Sequence, residues 1–337
     1  MNDSKLSETA VDRNNPDASI QVKLPEISEG VAFIQSYGVI RVTGEDALNF
    51  LHQQLTHDFL HLDLNQARFC SFCNAKGRIQ ASFIAFKTSQ TEVLMFCSKD
   101  LIAQTVKRLS MFVLRAKVKI SDASAEYFLY GVIGQTTNQP LIDQPKASPW
   151  SLRTVQSDDG PQYWCSLYPA QGLQRQLCLS MHEIKINESS IIQESEWTFS
   201  DIMSGVCLIG QTCFEAFVPQ MINYESVDGV HFQKGCYPGQ EVVARSQFRG
   251  TIKRRGFLLT CPSALHEGEE LFVDSDPDQP CGLIVRCVEK EGIYFAFASL
   301  TLQSVDPSSS PQISTKAVQH SSIIKILELP YPLKEDI

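Results

Sequence analysis

Cys236 lies in a segment whose composition favours an exposed and reactive thiol. Two glycines and one proline stand within three residues of it, and these residue types favour a tight turn that presents the side chain. Glu241 then opens the apolar run EVVAR, which predicts the start of a helix. A helix N-terminus and a nearby cation both stabilise a thiolate, so we expect this helix and Lys234 to lower the pKa of the Cys236 thiol. The pattern predicts thiolate chemistry, with a buried structural cysteine in a Gly-Pro turn as the alternative.

A cluster of positive charge follows this loop in a chain whose net charge is −9. Five cations fall within eleven residues without an acid among them: Arg245, Arg249, Lys253, Arg254 and Arg255. Such a local concentration against the overall sign predicts a site for an anionic ligand, such as a carboxylate or a phosphate. A solvated strand edge is the alternative. The negative average charge argues against non-specific binding of nucleic acid.

Two aromatic residues could each supply a flat face for a heteroaromatic ring. Tyr37 falls on an early predicted strand, and Trp197 precedes the segment TFSDI. Aromatic side chains stack on planar ligands, and a place in the hydrophobic core is the alternative for each of them.

Neither the cysteine nor the histidine spacing predicts a metal site. Cys70 and Cys73 form a C-x-x-C pair, but a separation of three on a strand sends the side chains to opposite faces. We therefore expect ordinary buried cysteines there. His57 and His61 have the i, i+4 spacing of metal ligands, but no third ligand is evident, and we expect them and His52 to lie on the surface.

Turn residues and periodicity predict an α+β arrangement in the first 120 residues. Strands over 67–72 and 78–86 are joined by a turn at 74–77, where Asn initiates the turn and Gly tolerates positive φ. Thr43 and Asp46 predict a capping box at a helix start. Apolar residues at helical spacing continue this helix as one buried stripe: Leu48, Leu51, Leu55, Phe59 and Leu62.

The pattern changes after Arg255, where short strands follow one another without a helix. They cover 256–261, 271–274, 281–288, 293–299 and 322–329, and they predict a small antiparallel barrel. We place a domain boundary near residue 252. The Ser-rich segment 303–321 predicts a mobile loop, and the Pro-rich and Gln-rich segment 134–162 predicts an irregular excursion.

Length and composition limit the class of protein. The chain has 337 residues, 43% of them hydrophobic, which is enough for two domains of ordinary size. Its apolar runs are far shorter than the roughly 20 residues that span a bilayer, so no membrane segment is expected. Residues 1–22 are polar, lack the features of a secretory signal and predict a disordered tail in a cytoplasmic protein. The eleven cysteines are irregularly spaced, and we expect reduced thiols.

The segment 234–241, KGCYPGQE, resembles the K-G-C-Y-x-G-Q-E signature of the YgfZ family. These are folate-binding proteins related to the glycine-cleavage T-protein, an aminomethyltransferase. The eight-residue signature is specific, and shorter matches support it from about residue 30 to the end. They lie at 43–47, 54–58, 73–77, 217–220, 243–245, 248–250, 253–254 and 329–331.

The resemblance implies an α+β fold and a ligand. It implies a folate-binding region at 23–251, built of ferredoxin-like and related subdomains around a central channel, followed by the small β-barrel at 252–337. It also implies that tetrahydrofolate or a related reduced folate binds in the channel between two aromatic residues that match Tyr37 and Trp197. The family more often has Trp at the first of these positions, and a phenol can still stack on a pterin.

Departures from the T-protein bear on catalysis. That enzyme has an aspartate on the strand after the C-N-x-x-G turn, whereas the corresponding segment 77–82 reads GRIQAS and has no carboxylate. It also has a glutamate near the folate ring, where this chain has Met203, which cannot accept hydrogen bonds as a carboxylate does. We therefore expect a folate cavity without aminomethyl transfer.

Our interpretation is a cytoplasmic, tetrahydrofolate-binding accessory protein that supports assembly or repair of iron-sulfur cluster enzymes. The resemblance implies such enzymes as partners, including the radical enzyme that methylthiolates tRNA, or cluster-assembly proteins. Cys236 would be the working thiol, and Lys234 would hold it as thiolate. The residues assigned to the folate or its glutamate tail, or to a partner surface, are Tyr37, Trp197, Gln240, Glu241, Arg245, Arg249 and Arg254.

Three alternatives remain open at this level. The chain could be a one-carbon transferase that uses Asp58 or Asp201 as the base. It could bind or modify tRNA directly, which its net charge disfavours. It could also be a folate-sensing regulator in which Cys236 is only structural.

Overall fold

The structure is a computed structural model that describes residues 24–134, 147–306, 312–316 and 324–334. The predicted disordered tail, residues 1–22, lies outside the described residues. Helices and strands mix in an α+β fold, as predicted, and the strands form three sheets. No helix in the described ranges combines the length and the apolar character needed to cross a bilayer.

The first sheet contains the predicted hairpin. The elements up to residue 134 are β1 (Gly30–Phe33), β2 (Tyr37–Thr43), α1 (Ala47–Gln54), β3 (Ala67–Cys73), β4 (Ile79–Ser89), β5 (Glu92–Ser98), α2 (Ile102–Ser110), β6 (Lys119–Asp122) and β7 (Phe128–Ile133). An antiparallel sheet forms in the order β3, β4, β5, β2, β6. The Asn74 N–H donates to the Arg78 carbonyl, and Gly77 takes a φ of 72°, so the β3–β4 turn is closed as its sequence predicts.

The start and the length of α1 differ from the prediction. Asp46 stands at the N-cap, but its carboxylate accepts the Lys117 N–H at 2.8 Å and no capping box forms with Thr43. The helix ends at Gln54, because Leu55 leaves the helix and bridges to Phe72 of β3. The remaining residues of the predicted stripe are nevertheless buried: Leu55, Phe59 and Leu62. Burial, and not helical continuation, explains their spacing.

The second sheet corrects the prediction for 134–162. The elements after residue 147 are β8 (Leu152–Ser157), β9 (Gly160–Ser166), β10 (Arg175–Ser180), β11 (Ile191–Ile192), α3 (Glu194–Met203) and α4 (Gln240–Phe248). The sheet has the order β11, β1, β7, β10, β9, β8, with only the β1–β11 pair parallel. Residues 135–146 lie outside the described residues, whereas β8 and β9 form a regular hairpin. The sequence of β8 suggests an irregular segment, because β8 is a mostly exposed edge strand, where polar residues are tolerated.

The C-terminal region forms the predicted small antiparallel β-barrel. Its strands are β12 (Arg254–Cys261), β13 (Glu270–Val273), β14 (Gly282–Lys290), β15 (Ile293–Thr301), β16 (Ile313–Thr315) and β17 (Lys325–Leu327), in the order β16, β13, β14, β15, β12, β17. Strand β16 lies within 303–321, where we expected only a loop. Its three residues pair with β13 and bury Ile313 and Thr315, and so short a strand leaves little periodic signal. The boundary near residue 252 stays a prediction.

The barrel packs directly against the α+β region. Phe295 of β15 meets Phe199 of α3 edge to face at 5.0 Å between ring centroids. Asn223 exchanges two hydrogen bonds with the backbone of Gly256, at 2.8 and 2.9 Å. The largest hydrophobic core therefore runs from the first sheet through α3 into the barrel.

Candidate functional site

Cys236 is the accessible thiol of this protein. Of the eleven cysteines, nine are buried, Cys287 is half-buried and Cys236 is exposed. Burial raises the pKa of the Cys73 and Cys165 thiols to about 12, so both are protonated and shielded at neutral pH. Cys70 and Cys73 are ordinary buried cysteines, as expected.

The cysteine loop, residues 234–239, is packed onto the β3–β4 turn. Gly239 has a φ of +80°, and a Cβ there would lie 2.4 Å from the Asn74 carbonyl oxygen. A Cβ on Gly77 would in turn lie 3.3 Å from the Gly239 oxygen. Two of the segments that match the YgfZ pattern, 73–77 and 234–241, are thus in backbone contact through their glycines.

Lys234 points away from solvent and into the end of α1. Its ammonium donates to the carbonyls of His52 and Leu55, the latter at 2.7 Å, and lies 4.7 Å from the centre of the Tyr237 ring. Burial lowers the pKa of Lys234 to about 8. We expected this cation to serve the Cys236 thiol. Its hydrogen bonds instead satisfy carbonyls that the end of a helix leaves free, and they fasten the loop to α1.

A histidine pair flanks Asp58 beneath the same loop. His52 Nδ1 lies 3.0 Å from Asp58 Oδ1, and His61 Nδ1 lies 2.7 Å from Asp58 Oδ2. His52 is buried, which corrects the expectation of a surface position, while His61 is exposed. Sequence spacing could not indicate this cluster, because α1 ends between His52 and Asp58 and the chain turns back on itself.

The cations after the loop do not form one patch. Glu241 pairs with Arg245 at 2.8 Å on the exposed side of α4, and Arg249 is also exposed. Gln240, at the start of α4, donates to the Lys234 carbonyl at 3.4 Å. Arg254 is turned toward the barrel, where it donates to the carbonyls of Pro280 and Cys281.

The last cation of the cluster is structural. Arg255 is 5% exposed and forms an ion pair with Glu225, which is 1% exposed. Only Arg245, Arg249 and Lys253 remain exposed to an anionic ligand or a partner.

A narrow cavity of about 10 Å³, with room for about one water molecule, lies between the first two sheets and α3. Its wall includes Tyr37, Phe69, Trp150, Tyr168, Arg175 and Asp201. The Tyr37 hydroxyl donates to Asp201 Oδ2 at 2.5 Å, and the Arg175 guanidinium pairs with Asp201 Oδ1. Burial, and then the Asp201 charge, raise the pKa of Tyr37 well above its usual value. The cavity thus presents a carboxylate between a phenol and a guanidinium.

Trp197 stands behind this wall. Its ring faces the Arg175 guanidinium carbon at 4.5 Å, and it is not among the residues that line the cavity. A Cβ on Gly131 would lie 2.2 Å from the indole, so the ring packs tightly onto β7. In this arrangement Tyr37 reaches the cavity directly, and Trp197 supports it through Arg175.

A second, more open cavity of about 470 Å³ adjoins the first. The two share Phe69 and Trp150, whose rings stack at 5.1 Å with an interplanar angle of 3°. Polar side chains on its wall include His57, Arg68 and His231. Sequence reasoning missed Trp150, because a single tryptophan after a Pro-rich segment carries no periodic signal.

The wider cavity has the size for a pterin, and the narrow one does not. The ring of a reduced folate is flat and carries N–H donors, and the wider cavity offers the aromatic rings of Phe69 and Trp150 and the Asp228 carboxylate. The narrow cavity has room for about one water molecule, so Tyr37 and Asp201 line a space too small for the ring.

Comparison with known proteins gives three findings. Residues 26–149 match the family model of the GCVT N-terminal domain. The chain is 27% identical over 247 residues to the tRNA-modifying protein YgfZ of Photobacterium profundum, covering 71% of this chain and 72% of that protein. It is 29% identical over 284 residues to the protein of the same name from Hamiltonella defensa, covering 80% and 83%.

The fold is also found in a solved structure. The glycine cleavage system aminomethyltransferase T from Bartonella henselae superimposes with a TM-score of 0.66, covering 92% of this chain and 88% of that one at 13% identity. At that identity the likeness concerns the fold alone. The resemblance to YgfZ is confirmed: the chain is similar in sequence to these proteins, and it shares the fold of the T-protein.

Proposed function

We propose that this chain is a reduced-folate-binding accessory protein of the YgfZ type that supports iron-sulfur enzymes, tRNA methylthiolation among them. The observation that carries the proposal is the exposed Cys236 on a loop fastened to α1 and to the β3–β4 turn. The name of the relatives, tRNA-modifying protein YgfZ, supports the link to tRNA modification.

The folate would be held in the wider cavity. Phe69 and Trp150 would supply aromatic contact to the pterin, and Asp228 would accept its N–H donors. Tyr37 and Asp201 would reach the ligand only if the narrow cavity behind these rings widened. The glutamate tail would extend toward solvent. A bound reduced folate would supply one-carbon chemistry or serve as a sensed ligand.

Cys236 would act on the partner and not on the folate. The thiol is exposed, whereas the cavity is lined by other elements, so the two sites address different molecules. One cysteine cannot ligate a cluster alone, so any cluster or sulfur contact requires ligands from a partner. Arg245 on α4 and Arg249 just after it are both exposed, and they would attract an acidic partner surface.

One-carbon transfer has less support. Asp201 is tied to Tyr37 and Arg175, and Asp58 to two histidines, so neither carboxylate stands free as a base. Gln80 lies on β4, in the segment where the T-protein is expected to carry its aspartate. Turnover of a reduced folate with an amine donor, lost in Asp201→Asn, would favour the transferase instead.

The proposal is tested by rescue of a strain that lacks this protein. Wild type, Cys236→Ser and the matched control Cys287→Ser are compared at equal abundance. The readouts are methylthiolated tRNA nucleosides and the activity of one unrelated iron-sulfur enzyme. We expect Cys236→Ser to fail on both and Cys287→Ser to rescue both. Full rescue by Cys236→Ser would make this cysteine structural and overturn the proposal.

A further inference from the structure

His52 is a buried histidine that faces the cysteine loop. It is 9% exposed, and its Nε2 has no hydrogen-bond partner among the described residues. A Cβ placed on Gly235 would lie 3.3 Å from this nitrogen and 3.8 Å from the ring Cδ2. The ring edge that carries Nε2 therefore meets the backbone immediately before Cys236. Because residue 235 is a glycine, no side chain separates the imidazole from the loop.

The other ring nitrogen is held by a carboxylate. His52 Nδ1 lies 3.0 Å from Asp58 Oδ1, and that oxygen also accepts the backbone N–H of Leu60 at 2.9 Å. The hydrogen bonds from His61 and Leu60, and then the nearby His52 ring, outweigh burial and hold the pKa of Asp58 well below its usual range, so it is ionised at neutral pH. An ionised acceptor fixes the proton of His52 on Nδ1 and leaves the lone pair on Nε2.

The loop is held over this pair. Lys234 hydrogen bonds to the carbonyls of His52 itself and of Leu55, so the residue two positions before Cys236 is fastened to the backbone that carries the imidazole. Gly239, three positions after Cys236, is packed onto the Asn74 carbonyl. Both ends of the cysteine loop are thus anchored, with the His52 ring against Gly235 between them.

Among the described residues, three titratable groups surround His52. Asp58 faces it from the segment after α1, with His61 on the far side of that carboxylate, and Lys234 faces it from the loop. Burial, and then the Lys234 charge, lower the pKa of His52. The imidazole is therefore neutral at pH 7, the state that can accept a proton.

We propose that His52 and Asp58 form a base and its orienting carboxylate for Cys236. The Cys236 S–H bond breaks, its proton goes to His52 Nε2, and the electron pair stays on sulfur, which leaves a thiolate beside an imidazolium that Asp58 stabilises. No oxidant or other reactant is consumed. Nucleophile, base and orienting group in this order are a recurring arrangement for activating a thiol. The inference rests on the proposed function of Cys236 as the working thiol.

The test is the pH dependence of alkylation. The full chain is treated with iodoacetamide between pH 5 and 10, and modification of Cys236 is followed by mass spectrometry of its peptide. The pKa of an unassisted cysteine thiol is about 8.5. We expect wild type to titrate below this value, and His52→Gln to move the midpoint up toward it with at least a tenfold lower rate at pH 7. Asp58→Asn should shift in the same direction, and His182→Ala, which removes an exposed imidazole outside this cluster, should not.

A second readout separates an effect on the thiol from misfolding of the variant. Thiolate absorbance at 240 nm, taken as the difference from Cys236→Ser, is titrated for each variant whose circular dichroism matches wild type. An unchanged midpoint in a folded His52→Gln overturns the inference and leaves the rescue result for Cys236 untouched. A shifted midpoint supports the assignment of His52 as the base and Asp58 as its orienting carboxylate. This holds even where Cys236→Ser rescues the strain and the proposed cellular role has to be abandoned.

Discussion

At the scale of single residues, Lys234 shows that a buried charged group hydrogen bonds to the acceptors that the fold leaves unpaired. Its ammonium is desolvated, and it gains two carbonyl acceptors at the end of α1. Such carbonyls lack partners within the helix, so the contact satisfies both sides. The residue thus fastens the cysteine loop, and the contact of that loop with His52 depends on it.

Lys234→Met is expected to change the pH dependence of stability. The folded pKa of Lys234, about 8, lies below its unfolded value, so between the two values the unfolded chain binds more protons. The free energy of unfolding therefore gains a contribution that rises with pH above about 8, by at most about 1.4 kcal/mol per pH unit. Urea unfolding at pH 7, 8, 9 and 10 measures it. The slope should be smaller in Lys234→Met than in wild type.

The control for this experiment is Lys253→Met, which removes an exposed lysine nearby. Its stability should follow the wild-type pH profile. If Lys234→Met does so as well, the ammonium of Lys234 is not desolvated in the folded state.

At the scale of elements, the site depends on a contact between a turn and a loop. The β3–β4 turn and the cysteine loop approach so closely that a Cβ on Gly239 would clash with the backbone of Asn74 and Gly77. The hairpin is local in sequence, but its partner is about 160 residues away, a distance that follows from the residue numbers. The turn of the first sheet therefore serves as the platform for Cys236.

Gly239→Ala is expected to displace the cysteine loop. Its Cβ would lie 2.4 Å from the Asn74 carbonyl and 2.6 Å from Gly77, and both are backbone atoms that cannot rotate away. Gly172→Ala is the matched control, since Gly172 has the same φ of +80° with nothing within 4 Å. The control should cost only the conformational penalty, about 1 kcal/mol.

Urea unfolding and limited proteolysis of the native protein compare these two variants. Gly239→Ala should lose more stability than Gly172→Ala and should be cleaved faster within 234–241. Equal losses would mean that the turn does not support the loop.

At the scale of the whole molecule, the barrel and the α+β region share a buried ion pair. Arg255 begins the barrel on β12, and Glu225 lies in a 3-10 turn of the preceding region. The Lys334 carbonyl also accepts from Arg255, so this arginine ties the segment 324–334 to the junction. Burial raises the pKa of Glu225, which shows how strongly the site penalises an uncompensated charge.

Arg255→Met is expected to destabilise the protein by about 3–5 kcal/mol, because it leaves Glu225 buried without its partner. The double variant Glu225→Gln with Arg255→Met should be less destabilised than Arg255→Met alone, since no charge then remains. Equilibrium urea unfolding measures both. Lys117→Met, which breaks an exposed ion pair with Glu45, should change little. Additive losses in the double variant would show that the two side chains are not coupled.

Local chemistry in the sequence determined several parts of this protein. The turn at 74–77, the strands on either side of it and most strands of the barrel follow from turn residues and alternation, which act within a few neighbours. The exposure of Cys236 follows from the glycines and proline around it in the same way. Strand β16 and the β8–β9 hairpin escaped prediction, because one is only three residues long and the other combines edge exposure with a polar composition.

Only the tertiary structure decided which side chains meet. It turned Lys234 toward α1, brought His52 and Asp58 beneath the loop, placed Arg175 between Trp197 and the cavity, and paired Arg255 with Glu225. Each of these contacts joins residues whose separation bears no relation to a helix or strand period. A buried charge or aromatic ring is cut off from water, so its partners are the groups that pack around it. The whole fold decides which groups those are, and no local sequence pattern encodes them.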